Sequence, residues 1–267
     1  MQVKYHIRKI FILCICVVAG AGLCVLLIAA IRVRQHKTCK GYSIEIKGPD
    51  DKKFIDEKMV ADLVRVNGVI KGRSLHRFDL NAMEAQLEKS PWIKNAELFF
   101  DNKQVLRVKI EEREPIARIF TVSGNSFYMD STGRQLPLSE RLSARLPVFT
   151  SYPSEAIRFK GADSLLTYHI KQVSRFLLGN PFWMAQIAQV DITAERNFEM
   201  VPTVGQHIIE FGNGDNCEKK FNRLMLFYRK VLSKTGMDKY QRLNIQYDKQ
   251  VIGVKEASTK QEVRNTN

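Results

Sequence analysis

Cysteine is scarce in this sequence: 267 residues hold five, three of them inside one apolar run, and no Cys-x-x-Cys pair occurs. That excludes a disulfide scaffold and a zinc ribbon. Histidine is equally sparse, and no two of its five copies share a metal-ligand spacing. Internal repeats and low-complexity tracts are absent, which excludes solenoids and collagen-like chains. Acid is in short supply, with 28 Asp and Glu against 42 Lys and Arg, a formal charge of +14. Such an excess first suggests nucleic acid or an anionic membrane. No finger, RNP or helix-turn-helix pattern supports the nucleic-acid reading.

What is present in quantity is one long apolar run. Ile10 to Ile31 are 22 residues without a charge, amide or hydroxyl. At ~1.5 Å per residue a helix of that length covers the ~30 Å hydrocarbon core of a bilayer. The run predicts a transmembrane helix over 10–31 behind a cytoplasmic tail, 1–9. Ala19-Gly20-Ala21 has the form of a cleavage site, but cutting there leaves ten more apolar residues, so an uncleaved anchor is expected. Lys4, Arg8 and Lys9 precede the run, and Arg32, Arg34, Lys37 and Lys40 follow it. The flanks nearly balance, and the long following domain is expected outside the cytoplasm, because long domains translocate largely regardless of charge.

The excess charge is uneven. Residues 1–41 carry seven basic side chains and no acid, 42–112 carry thirteen of each sign, and 113–267 carry twenty-two against fifteen. Lipid headgroups account for the collars around the run. The whole is expected to be an α+β protein with domains at 42–112 and 113–255 and a disordered tail at 256–267.

Tyr42–Lys47 alternates and ends at Gly48-Pro49, which predicts a strand and a turn. Asp56 can cap a helix with Met59, Val60, Leu63 and Val64 on one face, closed by Asn67-Gly68. Asp79 can cap another with Leu80, Met83 and Leu87 inward, stopped by Ser90-Pro91. Ile93–Phe100 and Gln104–Glu111 alternate around Asp101-Asn102-Lys103, a hairpin with Leu106, Val108 and Ile110 on one face. The order is β-α-α-β-β.

The remaining chain predicts strands at Ile116–Val122, Ser126–Met129, Arg134–Leu138 and Pro147–Thr150. A helix over 162–178 follows, ended by Gly179-Asn180-Pro181. Strands at Ile187–Ile192, Phe198–Val201 and His207–Phe211 precede a helix from Asn216 to Ser233. Its apolar face carries Phe221, Leu224 and Tyr228, and its other face Lys219, Lys220, Arg223, Lys230 and Lys234. Gln241–Tyr247 and Gln250–Lys255 close the chain as two short strands around Asp248-Lys249.

Catalytic chemistry finds no foothold. His169 lies on an apolar helix face and reads as a core residue. Cys39 and Cys217 read as free thiols, and Cys217 lacks a neighbouring base. Gly212-Asn-Gly-Asp215 has neither a Walker lysine-hydroxyl pair nor a dinucleotide spacing, and reads as a strand-to-helix turn. Glu111 and Glu112 are neighbours on a strand and point to opposite faces. Asp130 reads as a turn former. No enzyme and no cofactor are expected. Binding is the chemistry left, and an edge strand supplies it through unpaired N–H and C=O groups. Gln250-Val-Ile-Gly-Val-Lys255 is the best candidate, being short, β-prone and followed by polar residues.

Asp79-Leu80, Ser90-Pro91-Trp92-Ile93 and Val108-Lys-Ile-Glu-Glu-Arg-Glu-Pro-Ile-Ala117 resemble the marks of a POTRA domain. With Phe127-Tyr-Met-Asp-Ser-Thr-Gly-Arg-Gln-Leu-Pro137, the chain resembles the FtsQ/DivIB family of bacterial cell-division proteins from the anchor to about Glu256. The resemblance implies a bitopic inner-membrane protein at the division septum. Its periplasmic domain would bind FtsB- and FtsL-like bitopic partners, FtsB pairing along the terminal strand. Carried onto this chain, the partner-binding residues are Arg196, Tyr247, Lys249, Gln250, Val251, Ile252, Gly253, Val254 and Lys255. Some relatives carry a tryptophan near the end of that strand, where Val254-Lys255 stand here. Two other classes are a POTRA-containing envelope assembly or secretion factor, which should carry several such domains before a barrel, and a membrane-anchored periplasmic enzyme, which needs a catalytic set.

Overall fold

Alternating apolar and polar residues become paired strands in the computed structural model, which describes residues 17–26, 37–47, 53–65, 68, 70–139, 144–153 and 161–255. Residues 17–26 are helical, and among the described residues no helix is long and apolar enough to cross a membrane. The tail 1–9, the rest of the run 10–31, Gly48-Pro49, Asn67 and the tail 256–267 lie outside the described residues. The chain divides into two compact units, Met1–Glu112 and Arg113–Asn267.

From residue 37 on, the described residues of the first unit form a three-stranded sheet with two α-helices. Strand β1 (Gly41–Lys47) runs parallel to β3 (Val105–Glu112), which pairs antiparallel with β2 (Ile93–Phe100), giving the order β1-β3-β2. Leu106, Val108 and Ile110 of the central strand are fully buried. Helix α1 (Glu57–Arg65) starts at Asp56, whose Oδ1 accepts from the Met59 amide at 2.7 Å. Helix α2 (Leu80–Leu87) starts at Asp79, which accepts from the Ala82 amide at 3.0 Å. Each cap satisfies an amide that the first helical turn leaves without a partner. Helix α1 buries Val60, Ala61 and Val64, while Met59 is exposed, so the inward face is rotated by one position from the expected one. The hairpin loop holds four residues rather than three. Asp101 Oδ1 accepts from the Lys103 and Val105 amides, and Gln104 takes φ +65° to close the turn.

Among the described residues the second unit holds a nine-stranded mixed sheet. Its strands are β4 (Pro115–Thr121), β5 (Ser126–Asp130), β6 (Gln135–Leu136), β7 (Val148–Tyr152), β8 (Ile187–Ile192), β9 (Phe198–Pro202), β10 (Ile208–Gly212), β11 (Tyr240–Asn244) and β12 (Ile252–Lys255). Their order is β12-β11-β10-β9-β8-β7-β4-β5-β6. Helices α3 (Gly161–Leu178), α4 (Pro181–Gln186) and α5 (Cys217–Phe227) connect them, α5 continuing through a π-turn over Tyr228–Leu232. Leu166, Ile170, Val173 and Leu177 of α3 join Phe221 and Leu224 of α5 against Ile119, Phe149, Val190, Met200, Phe211 and Leu243 of the sheet. Burying each such side chain contributes roughly 1.5–3 kcal/mol. Across β9, β10 and β11 the opposite face of the sheet is half-buried and carries charge, with Arg242 ion-paired to both Glu199 and Glu210.

Three sequence expectations change here. Pro181 ends α3 but also opens α4, a helix absent from the expected order, because Asn180 accepts from the Trp183 amide and proline suits the first helical turn. Trp183 is thereby placed in the core, its ring centroid 4.8 Å from that of Phe221. Lys220 does not belong to a solvated basic face. It is 5% exposed, its ammonium donates to the Asn213 carbonyl and side-chain oxygens, and it lies over the Phe211 ring. The last two strands are shorter than expected, which leaves a longer connecting loop at 245–251.

Candidate interaction edge

Among the described residues strand β12 pairs on one side only, antiparallel to β11, with Asn244 opposite Ile252, Leu243 opposite Gly253 and Arg242 opposite Val254. Residues opposite one another share a face. Ile252 and Val254 therefore stand on the same face as Asn244 and Arg242, and they are 44% and 49% exposed. Gly253 faces the core side, where the ring of Tyr240 covers it. A Cβ at Gly253 would lie 2.5 Å from that ring.

The loop that delivers β12 is held from three directions. The Ile245 amide donates to the Glu210 carbonyl at 3.0 Å, and the Gln246 amide donates to Asn244 Oδ1 at 3.0 Å. From α5, Arg223 donates through Nη2 to the Ile245 carbonyl at 2.9 Å and meets Asp248 through Nη1 at 3.1 Å. Lys249 then takes φ +63°, reversing the chain into the strand. Tyr247 on this loop is 55% exposed, and Gln250 is exposed beside it. Val251 departs from the expected strip: it turns inward and packs against the core. Lys249 and Lys255 are exposed and make no ion pair among the described residues.

Arg196 lies elsewhere on the sheet but at the same end. It occupies the turn between β8 and β9, at φ +64°, and its amide donates to the Thr193 carbonyl at 2.9 Å. The pairings of Phe198 with Gly212, Glu210 with Asn244, and Asn244 with Ile252 put that turn and the 245–251 loop on one rim. Three strand spacings of ~4.8 Å separate them, roughly 15 Å. The fold thus brings Tyr247 and Lys249–Lys255 together and sets Arg196 across the rim from them. Arg223 and Tyr240, which hold the edge in place, lie outside the expected partner-binding set, and the sequence assigns Arg223 only to the basic face of its helix. The one available signal is that Arg223 falls on the helix that immediately precedes the last two strands.

The other chemically suggestive groups are committed to structure. Burial pushes the Cys217 thiol up to about 11, and it donates to the Gly214 carbonyl at 2.9 Å, so it is not a thiolate at neutral pH. His169 is buried with Nε2 3.5 Å from Asp215, and burial lowers its pKa despite that carboxylate. Cys39 and Cys217 are both free thiols. Among the described residues, no group of three or more His, Cys, Asp and Glu side chains is placed to hold a metal ion. Asp130 closes its turn by accepting from the Thr132 and Arg134 amides, and its other oxygen meets Arg113 at 3.2 Å.

Residues 37–111 match the POTRA-like domain model, and residues 114–254 match the model for the FtsQ/DivIB C-terminal related region. The chain is 25% identical over 175 residues to the cell division protein FtsQ of Geobacter sp. (strain M21), covering 64% of this chain and 62% of that protein's length. It is 21% identical over 194 residues to the cell division protein FtsQ of Geotalea daltonii, covering 72% of this chain and 69% of the relative. Against the cell division protein FtsQ of Salinibacter ruber it is 21% identical over 241 residues, covering 88% and 91%. A POTRA-like unit followed by this C-terminal region over more than half of its length identifies the chain as a member of the FtsQ/DivIB family of cell-division proteins.

Proposed function

We propose that this chain is a membrane-tethered, non-catalytic platform of the division machinery that binds bitopic FtsB- and FtsL-like partners at the septum. In this reading residues 10–31 anchor it in the inner membrane, residues 1–9 remain in the cytoplasm, and the POTRA domain (42–112) and C-terminal domain (113–255) face the periplasm. A partner segment adds a tenth strand to the sheet along β12. Its backbone would pair with the free side of Ile252–Lys255, its apolar side chains would meet Ile252 and Val254, and its acidic groups would meet Lys249, Lys255 and, across the rim, Arg196. Main-chain pairing supplies affinity in such additions, and the alternate side chains supply selectivity.

The observation that carries this reading is the one-sided pairing of β12, with two β-branched side chains left exposed at the end of the sheet. An edge of that kind invites another strand. The test is pull-down of the FtsB-like partner by Ile252→Pro and Ile252→Asp variants of the full chain, with cell morphology scored in parallel. Proline removes the Ile252 N–H and locks the strand backbone there, and aspartate adds charge where an apolar contact is expected. Loss of capture with filamentous cells is the expected result. Full capture with normal septation would defeat the edge assignment.

A further inference from the structure

The POTRA-like unit from 42 to 112 is neutral in sum, but its charges are segregated. Of its thirteen cations, Lys71, Arg73 and Arg77 fall within residues 68–78, which hold no acid, and the preceding Lys37 and Lys40 also lack acidic neighbours in the chain. Hydrogen bonds join these two stretches. Thr38 forms an antiparallel bridge with Ser74; the Cys39 amide donates to the Arg73 carbonyl at 2.9 Å, the Gly72 amide to the Cys39 carbonyl at 2.7 Å, and the Leu75 amide to the Lys37 carbonyl at 3.0 Å. Lys40, Tyr42, Arg65, Ile70 and Lys71 line one open cavity of about 720 Å³. Arg65 Nη2 donates to the Tyr42 hydroxyl at 2.9 Å, which holds the guanidinium at the cavity wall. Arg73 lies over the Phe78 ring and donates to the Arg77 carbonyl, so it shapes the loop while Lys37, Lys40, Arg65, Lys71 and Arg77 are exposed.

Lys37 stands six residues after Ile31, the last residue of the apolar run. Six residues reach at most about 20 Å when extended and about 9 Å when helical. Whatever path they take, this cationic end is tethered near the place where the run ends. We infer that the end of the POTRA-like unit built from 37–40 and 71–77 docks on an anionic phospholipid surface, with Lys37, Lys40, Lys71 and Arg77 against headgroup phosphates, while Arg65 stays paired with Asp62. The inference rests on reading 10–31 as the anchor. Electrostatic attraction to such a surface decays within roughly 8–10 Å at physiological salt, so only cations held at the surface contribute. Each one that does raises partitioning about fivefold. The docked end would fix the tilt of the unit relative to the membrane, which a single covalent connection does not.

The test places the full chain in nanodiscs of phosphatidylcholine, with or without phosphatidylglycerol, and follows amide hydrogen exchange at residues 70–78. Slower exchange in the anionic discs is expected, reversed by high salt and lost in a Lys40→Ser, Lys71→Ser, Arg77→Ser triple variant whose circular dichroism and tryptophan emission are unchanged. Equal exchange in both lipids would overturn the inference. Protection produced equally by inorganic phosphate without lipid would also overturn it, in favour of a soluble phosphate site. Extraction of the chain from the discs by alkaline carbonate reports on the anchor separately. An extractable chain whose 70–78 amides are still protected by anionic vesicles would defeat the anchor and leave the surface standing.

Discussion

Arg223 of α5 donates to the carbonyl of Ile245 at 2.9 Å, and through this bond the helix holds the loop that starts the last strand. The same guanidinium also meets Asp248, whose side chain is largely exposed and so gains little from the ion pair. Removing the two partners should therefore have unequal effects. Arg223→Met is expected to cost about 1–2 kcal/mol, because a half-buried carbonyl loses a charged donor. Asp248→Ala should cost less than about 0.5 kcal/mol. Urea unfolding of both variants decides it, with amide exchange at 245–251 as a local readout. Equal costs would mean that the ion pair, not the backbone bond, holds the loop.

Gly253 and Tyr240 form the second support of the edge. A Cβ at Gly253 falls 2.5 Å from the ring, and Tyr240 is itself packed edge-on against Phe227, with centroids 5.5 Å apart. Gly253→Ala should destabilise β12 pairing by about 1–3 kcal/mol, the usual range for overpacking. A Tyr240→Leu background should relieve most of that cost. Additive losses in the double variant, measured by thermal unfolding and exchange at 252–255, would show that the ring is not the obstacle.

His207 and Tyr228 make a buried pair whose protonation follows from its partners. Met237 offers a carbonyl to His207 Nδ1 at 3.2 Å, so Nδ1 carries the proton and Nε2 accepts from the Tyr228 hydroxyl at 2.8 Å. Burial pushes Tyr228 up to about 12 and lowers the pKa of His207. Tyr228→Phe leaves Nε2 buried without a donor and should cost about 1–3 kcal/mol. The sign of the pH effect follows from the lowered value. The unfolded chain takes up a proton near pH 6.5 that the folded chain resists, so stability is complete above that pH and declines as pH falls below it. His169 is depressed in the same direction by burial. A His169→Gln, His207→Gln variant should show a flatter stability profile between pH 7 and 5. An unchanged slope would place the titration elsewhere.

Asp130 carries the turn of the Met129–Arg134 segment. Burial raises its pKa, but hydrogen bonds from Thr132, Arg134 and Arg113 outweigh burial and hold the carboxyl below the usual range. Asp130→Ala removes those bonds and leaves Arg113 half of a buried pair, so a loss of about 3–5 kcal/mol is expected. Because the folded pKa is depressed, this contribution is present above about pH 4 and is lost as pH falls through the lower folded value. Acid unfolding of the wild type and of Asp130→Asn checks this. The substituted amide cannot ionise, so the acid profile of the variant should lose that component.

The first unit was legible because its signals are local. Alternation in Leu106, Val108 and Ile110 and caps at Asp56 and Asp79 appear in the sequence and in the fold alike. The second unit was legible in its elements but not in its strand order. Placing β11 beside β10, and β7 between β4 and β8, depends on partners far apart in the chain, which no window of sequence contains. Helix α4 was missed because Asn180-Pro181 serves both to stop one helix and to start another. Lys220 was misplaced because a helical wheel assigns it to the polar face, whereas its long stem carries the ammonium back to the Asn213 carbonyl. At the edge, Ile252 and Val254 were readable as strand residues. Val251 was not readable as packing against the core, because its direction is set by the reversal at Lys249.

Strands β1 and β3 have a mechanical consequence. They run parallel, the segment 37–40 enters β1 at one end, and β3 leaves for the second unit at Glu112 from the other. Tension between the N-terminal segment and the second unit therefore pulls the two strands lengthwise past each other. Along seven paired positions, Gly41 with Val105 through Lys47 with Glu111, the hydrogen bonds share that load and must yield together instead of opening one at a time. A chain held at its N-terminal segment and pulled through its second unit would carry force through this pair of strands as through a lap joint.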